Sequence, residues 1–190
     1  MKNVLFIGLA LALFCLSVNA KIDLILPFEE SSITDSSIDL GLIAPGEAFS
    51  FTISSDSGFE QINRWTNAIV VEETLPDNWS ADTVIPYGPT LTLKVNSNPK
   101  TLPGNYFFKV KAYNESKRLE PEYFTANIIV KTDLQKASVP VTSLETVVGS
   151  SVSYSLILIN DSLADHSFKL ESDLPEGWLQ STAYFVPAGK

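Results

Sequence analysis

The sequence predicts an all-β protein of two tandem β-sandwich domains, the second truncated, and three observations predict it. Apolar and polar residues alternate with period two over short runs bounded by Gly, Pro, Asn and Asp. No stretch beyond residue 20 keeps helical periodicity long enough for a typical globular helix. Finally, the chain repeats itself. Gly46 opens GEAFSFTI and Gly149 opens GSSVSYSL; LPDNW at 75–79 returns as LPEGW at 174–178; IPYG at 85–88 returns as VPAG at 186–189. A spacing of about 100 residues suits two copies of one small domain, because solenoid units run to only roughly 20–50. Period two with β-branched and aromatic enrichment means strands with one buried face. Several such strands at turn-marked intervals make a sandwich.

Residues 1–20 read as a signal peptide. Lys2 gives the positive start, 4–18 the apolar stretch, and Val18, Asn19 and Ala20 the cleavage site. Two other readings compete. An uncleaved anchor needs a spanning run of roughly 20 residues, longer than this one; a lipoprotein would be modified at Cys15, but bulky Phe14 precedes it. Cleavage removes Cys15 and Met1, the single cysteine and the single methionine. The mature domains then hold no disulfide, which a domain of about 100 residues can do without. This usage leans toward a secreted or cell-surface protein on a bacterial or archaeal exterior.

The first domain spans 21–132, a polar linker 133–138, and the front of the second domain 139–190. Strand candidates in the first domain are 22–26, 38–43, 48–54, 68–74, 83–85, 90–96, 105–113 and 123–131. In the second copy Val152, Tyr154, Leu156 and Leu158 repeat the alternation of Phe49, Phe51 and Ile53. The first copy continues past Gly88 to residue 132, whereas Lys190 alone follows Gly189. The expectation is a fragment of a longer chain whose second domain lacks counterparts of 90–96, 105–113 and 123–131 and exposes part of its core face.

Each repeated motif has a backbone explanation. Pro76 and Pro175 end a strand and start a turn. Asn78 and Gly177 stand at one equivalent position and both tolerate positive φ. Trp79 and Trp178 re-enter the fold as large apolar bodies, packing at a sheet edge or under the turn; a sugar-stacking role is the alternative. Pro86, Gly88, Pro187, Gly189, Pro103 and Gly104 mark further tight turns.

The net charge is −9, and loss of Lys2 makes it more negative. An acidic surface disfavours nucleic acid and anionic lipid, so neither is an expected partner; any membrane link runs through the signal segment or a C-terminal anchor. His166 is the single histidine and the mature chain has no cysteine, which excludes a zinc site of those ligands within one chain. It reads as solvated or partly packed. No serine lies in an elbow motif. Glu72 and Glu73, adjacent on a predicted strand, face opposite sides and do not suit paired acid–base work. Asp161 and Asp165, or the acids within 29–39, are candidate calcium ligands without an EF-hand spacing; solvated surface acids are the plainer reading. No catalytic residue, cofactor or metal site is expected.

An insertion at 58–67 distinguishes the first copy and contains Arg64 and Trp65. They form a candidate contact patch, because exposed Trp beside Arg suits a partner surface; the alternative is a tryptophan plugging the end of the sandwich. The glycosylation pattern Asn-x-Ser/Thr occurs at Asn78, Asn114 and Asn160, all of them turn positions.

The run of Gly46, Leu75, Pro76, Trp79, Pro86, Gly88, Pro103, Gly104 and Tyr106 resembles NEW3-type immunoglobulin-like repeats, also called α-galactosidase-associated domains. Gly149, Leu174, Pro175, Trp178, Pro187 and Gly189 carry the resemblance in the second copy. A departure is the turn after the first long strand, Ser-Asp-Ser-Gly and Ile-Asn-Asp-Ser here, where family members often have Asn-Asn/Asp-Gly. The resemblance implies tandem immunoglobulin-like β-sandwich domains of exported surface proteins, serving spacing, display or adhesion without catalysis. The expected function is therefore a structural or adhesive segment whose partners are other domains of the same chain, a surface glycan or a protein. Two alternatives are a carbohydrate-binding accessory module of a secreted hydrolase and a periplasmic assembly factor that pairs strands with a client.

Overall fold

The computed structural model describes residues 22–26, 31–32, 36–56, 64–87, 89–116, 119–141, 143, 145–147, 149–171, 173 and 183–189; for 26, 31–32 and 83–87 it describes the backbone alone. The signal segment with Cys15, most of the 58–67 insertion, Gly88, and the second-copy residues Leu174, Pro175, Gly177 and Trp178 lie outside the described residues.

The described chain is all-β. Its strands are β1 (Asp23–Leu26), β2 (Ser31–Ser32), β3 (Ser37–Ile43), β4 (Ala48–Ser54), β5 (Asn67–Val70), β6 (Ser80–Tyr87), β7 (Thr90–Asn96), β8 (Gly104–Tyr113), β9 (Glu122–Val130), β10 (Gln135–Ser138), β11 (Ile157–Asn160), β12 (His166–Lys169) and β13 (Ala183–Val186). Two sheets make a sandwich-like body from the first copy: β2-β1-β4-β7-β6 and β3-β9-β8-β5. Neighbours are antiparallel except β3 and β9, which run parallel from Ser37↔Thr125 to Ile43↔Val130.

The alternation in the sequence sets which face goes inward. Phe49, Phe51 and Ile53 of β4, Leu91, Leu93 and Val95 of β7, and Phe108, Val110 and Ala112 of β8 are all buried. Phe124, Ala126, Ile128 and Val130 of β9 close the same core. Phe51 and Phe108 meet across the two layers at 6.2 Å between ring centroids. On the other face of β4 Ser50 is exposed, and the buried Thr52 shares a 2.9 Å hydroxyl–hydroxyl hydrogen bond with Thr92.

Two expectations are corrected. The strand expected over 68–74 stops at Val70, and Glu72–Thr74 form a short 3-10 turn. There the chain leaves one sheet for the other: Thr74 Oγ1 donates to Val71 O (2.7 Å) and accepts from Lys109 N–H (2.8 Å), holding the corner closed. Glu72 and Glu73 are both exposed on that turn instead of alternating on a strand. The second correction concerns 133–138. The segment expected as an irregular polar linker contains a strand: β10 occupies Gln135–Ser138 and pairs antiparallel with β11.

The two glycines that open the repeated runs sit in similar turns. Glu47 N–H donates to Ala44 O (3.3 Å) and Ser150 N–H to Val147 O (3.1 Å), with Gly46 at φ +82° and Gly149 at φ +91° inside the two turns. After the first turn β4 starts two residues past Gly46 and pairs with β1; after the second, 151–156 form no strand, so the alternation of Val152, Tyr154 and Leu156 does not make the expected strand there, and β11, which begins at Ile157, pairs with β10.

Candidate functional site

Arg64 and Trp65 do not form an exposed aromatic patch. Trp65 is 1% exposed and belongs to the core, which corrects the contact-patch reading. Its backbone N–H donates to Ser55 O (2.8 Å), the Arg64 backbone forms an isolated antiparallel β-bridge with Asp56, and Asn114 Nδ2 donates to Arg64 O (2.6 Å). The indole Nε1, Arg64 Nε, Ser55 Oγ and Glu122 Oε2 are buried polar atoms without a hydrogen-bond partner among the described residues. Trp65 therefore plugs the sandwich end, the alternative weighed for it.

The three glycosylation candidates separate by burial. Asn78 is exposed at φ +59°, the left-handed turn conformation that its alternation with glycine predicts. Asn114 is buried with its amide nitrogen committed to Arg64 O and its oxygen to Ser116. Asn160 is fully buried, and Nδ2 donates to Ala164 O (2.8 Å), Pro187 O (3.1 Å) and Val186 O (3.3 Å). A modifying enzyme needs the amide nitrogen free, so the folded protein offers only Asn78 of the three.

Trp79 lies under its turn. The ring sits edge-on to Phe49 at 6.4 Å and tilted against Tyr106 at 5.6 Å, and Nε1 donates to Thr101 Oγ1 (2.9 Å). A shallow cleft of about 270 Å³ opens beside it, lined by Asp77, Asn78, Asn98, Lys100, Leu102 and Tyr106 among others. Because Trp79 Nε1 and Tyr106 OH are already bonded inside the protein, the latter to Leu102 O (2.8 Å), both aromatics serve the scaffold.

The densest polar constellation was not singled out from sequence. Glu47 follows the Gly46 turn, and its side chain is only 8% exposed. Oε2 accepts from Ala44 N–H (2.8 Å) and from Ser162 Oγ; Oε1 accepts from Gln135 Nε2 (2.9 Å) and from His166 Nε2. Two donors on each oxygen saturate a carboxylate. Gln135 Nε2 also lies 3.1 Å from His166 Nε2. That ring nitrogen donates to Glu47, so the Gln135 amide gives its hydrogen to the carboxylate and not to the ring.

The donors come from both copies. Ala44 belongs to the first sandwich, Gln135 to β10, Ser162 to the loop after β11, and His166 to β12. Asn160 shapes that loop: its Nδ2 collects three carbonyls while Oδ1 accepts from Ser162 N–H (3.2 Å), presenting Ser162 to Glu47. Backbone bonds finish the seam. Leu163 N–H donates to Leu42 O (2.8 Å) on β3, and Asp161 N–H to Leu134 O (2.9 Å). Asp161 and Asp165, weighed as calcium ligands, have other partners: Lys136 at 3.2 Å and Ala188 N–H at 2.9 Å. His166, read from sequence as solvated or partly packed, is half-buried in the joint, while Asp161 and Asp165 stay exposed at the surface.

Compared with known proteins, the chain matches no family model, no curated protein and no solved structure.

Proposed function

We propose that this chain is an exported, non-catalytic structural and adhesive segment of a cell-surface protein, built from immunoglobulin-like sandwiches in tandem. The observation that carries the reading is the Glu47 joint. One carboxylate of the first sandwich holds three side chains of the second segment, so the segments keep a fixed relative position. A spacer that sets distance from a surface needs that stiffness; freely linked beads would lose it. The strand order supports the immunoglobulin-like assignment. β1-β4-β7-β6 follows the A-B-E-D sheet and β5-β8-β9 the C-F-G sheet of that fold. The turn residues Gly46 and Asn78, both at positive φ, and Tyr106 against Trp79 support the resemblance to NEW3-type repeats. Protease treatment of intact cells expressing the tagged full-length gene tests the reading. Cleavage of this segment before lysis is expected; protection until lysis contradicts it.

A second reading, a carbohydrate-binding accessory module, has one observation in its favour. Phe107 and Tyr123 are 67% and 51% exposed on adjacent strands, and Lys111 Nζ stands 5.5 Å and 5.8 Å from the Tyr113 and Tyr123 ring centroids. Flat exposed rings beside a cation suit a sugar face. Retention on insoluble polysaccharide, lost in a Phe107→Ala, Tyr123→Ala double variant, is the outcome this reading requires.

A further inference from the structure

The outer face of the sheet β3-β9-β8-β5 carries two lysines with no acidic partner among the described residues. Phe107, Lys109 and Lys111 alternate along β8, so all three project from the face opposite the buried Phe108 and Val110. Lys111 stands opposite Tyr123 of β9, and Lys109 opposite Thr125. The Lys111 ammonium lies 5.5 Å from the Tyr113 ring centroid and 5.8 Å from that of Tyr123. Lys94, Lys136 and Lys169 each reach a carboxylate, whereas Lys109 and Lys111 do not. In a chain of net charge −9 that pair is conspicuous. Nearby carboxylates are placed elsewhere. Asp39 lies on β3, with β9 between it and β8, and accepts from Asn127 Nδ2 (2.9 Å); Glu122 Oε2 is buried; Glu72 and Glu73 sit on the turn at the margin. The second segment meets this sheet at Leu42, which pairs with Ile129, about 20 Å along β9 from Tyr123. It leaves the lysines uncovered.

We propose that this face binds a polysaccharide whose sugars carry carboxylates, with Lys109 and Lys111 pairing the acid groups and Phe107 and Tyr123 stacking on the sugar rings. The inference rests on the carbohydrate-binding reading and narrows it to acidic sugars. Phe107 and Tyr123 mark the ends of a strip: four residues of β8 lead from Phe107 to Lys111, the partner of Tyr123, a length of about 13 Å. That strip holds a short run of sugars, each offering an apolar face to a ring and a carboxylate to an ammonium. Negative charge elsewhere on the chain does not forbid this. Salt screens it beyond about 8 Å, while the two pairs form at contact. A second copy docked face to face would set lysines against lysines, so charge argues against it.

The test uses the full chain and two soluble probes of one shape: a galacturonic acid oligosaccharide, and the same oligosaccharide with its carboxylates methyl-esterified. Saturable binding of the acidic probe is expected, with amide shifts concentrated at 107–111 and 123–125. Esterification weakens it about tenfold, the scale of two exposed ion pairs. A Lys109→Gln, Lys111→Gln variant loses a similar factor for the acidic probe and none for the ester. Its melting temperature holds, because both side chains lie on the outer face. Phe107→Ala with Tyr123→Ala removes binding of both probes. Equal binding of the two probes overturns the proposal and leaves the carbohydrate reading standing; no binding of either overturns both. Polyglutamate bound as tightly as the acidic oligosaccharide makes an acidic peptide the occupant and overturns it. Amide shifts across this face on concentrating the chain alone do the same for a second copy.

Discussion

At the scale of single residues, partners inside the fold decide what each side chain does. Trp79 is the clearest case, since its indole N–H is spent on Thr101. Thr101→Val keeps the shape and removes the acceptor, so it should destabilise the protein by about 1–2 kcal/mol in chemical denaturation. Glu122 behaves differently. Burial holds its carboxyl above the ordinary value, and Oε2 finds no partner among the described residues. Between the ordinary carboxyl value and the raised one, the folded state binds more protons than the unfolded state. Stability therefore falls as pH rises through that window. Glu122→Gln should remove that part of the pH dependence and raise the melting temperature at neutral pH; an unchanged pH profile would contradict the assignment. Of the three glycosylation candidates, mass spectrometry after secretion from a glycosylating host should find sugar at Asn78 alone, and none in Asn78→Gln. The left-handed turn at Asn78 was legible because Asn and Gly share that position in the two copies. The burial of Asn114 and Asn160 was not, because a turn asparagine reads the same whether its amide faces solvent or a row of carbonyls.

At the scale of elements, period two carried the reading. β4, β7, β8 and β9 fall where alternation puts them, since each buries one face against the opposite sheet. Alternation failed at corners. The apolar run before Pro76 looks like one strand, but the chain must cross between sheets there, and the 3-10 turn at Glu72–Thr74 makes the crossing. It also failed for β10, whose Gln-Lys-Ala-Ser carries no apolar signal and is a strand through pairing with β11. The two glycine turns give an element-scale prediction. A Cβ at Gly46 would lie 3.2–3.3 Å from three atoms of Pro99, whereas one at Gly149 would meet nothing within 4 Å. Both substitutions to Ala incur the left-handed strain of about 1–2 kcal/mol, and Gly46→Ala adds the clash. Denaturation midpoints of the two variants should show Gly46→Ala as the more damaging; the reverse order would mean the turns are not equivalent.

At the scale of the whole molecule, the sequence predicts two copies but not how they are joined. The joint is built from a glutamate, a histidine, a serine and a glutamine separated by as much as 119 residues, as between Glu47 and His166. No local pattern marks such a set, and only the fold brings it together. Replacing Glu47 with Gln keeps the size of the side chain but turns one carboxylate oxygen into a donor facing donors. The loss should be about 1–3 kcal/mol for the buried groups left unpaired. The most direct measurement is the rotational correlation time of each segment in the intact chain, from backbone nitrogen relaxation. One shared correlation time is expected for residues 36–130 and 157–169 in the natural sequence, splitting into two in Glu47→Gln. Separate correlation times in the natural sequence, or a shared one that survives Glu47→Gln, would contradict it.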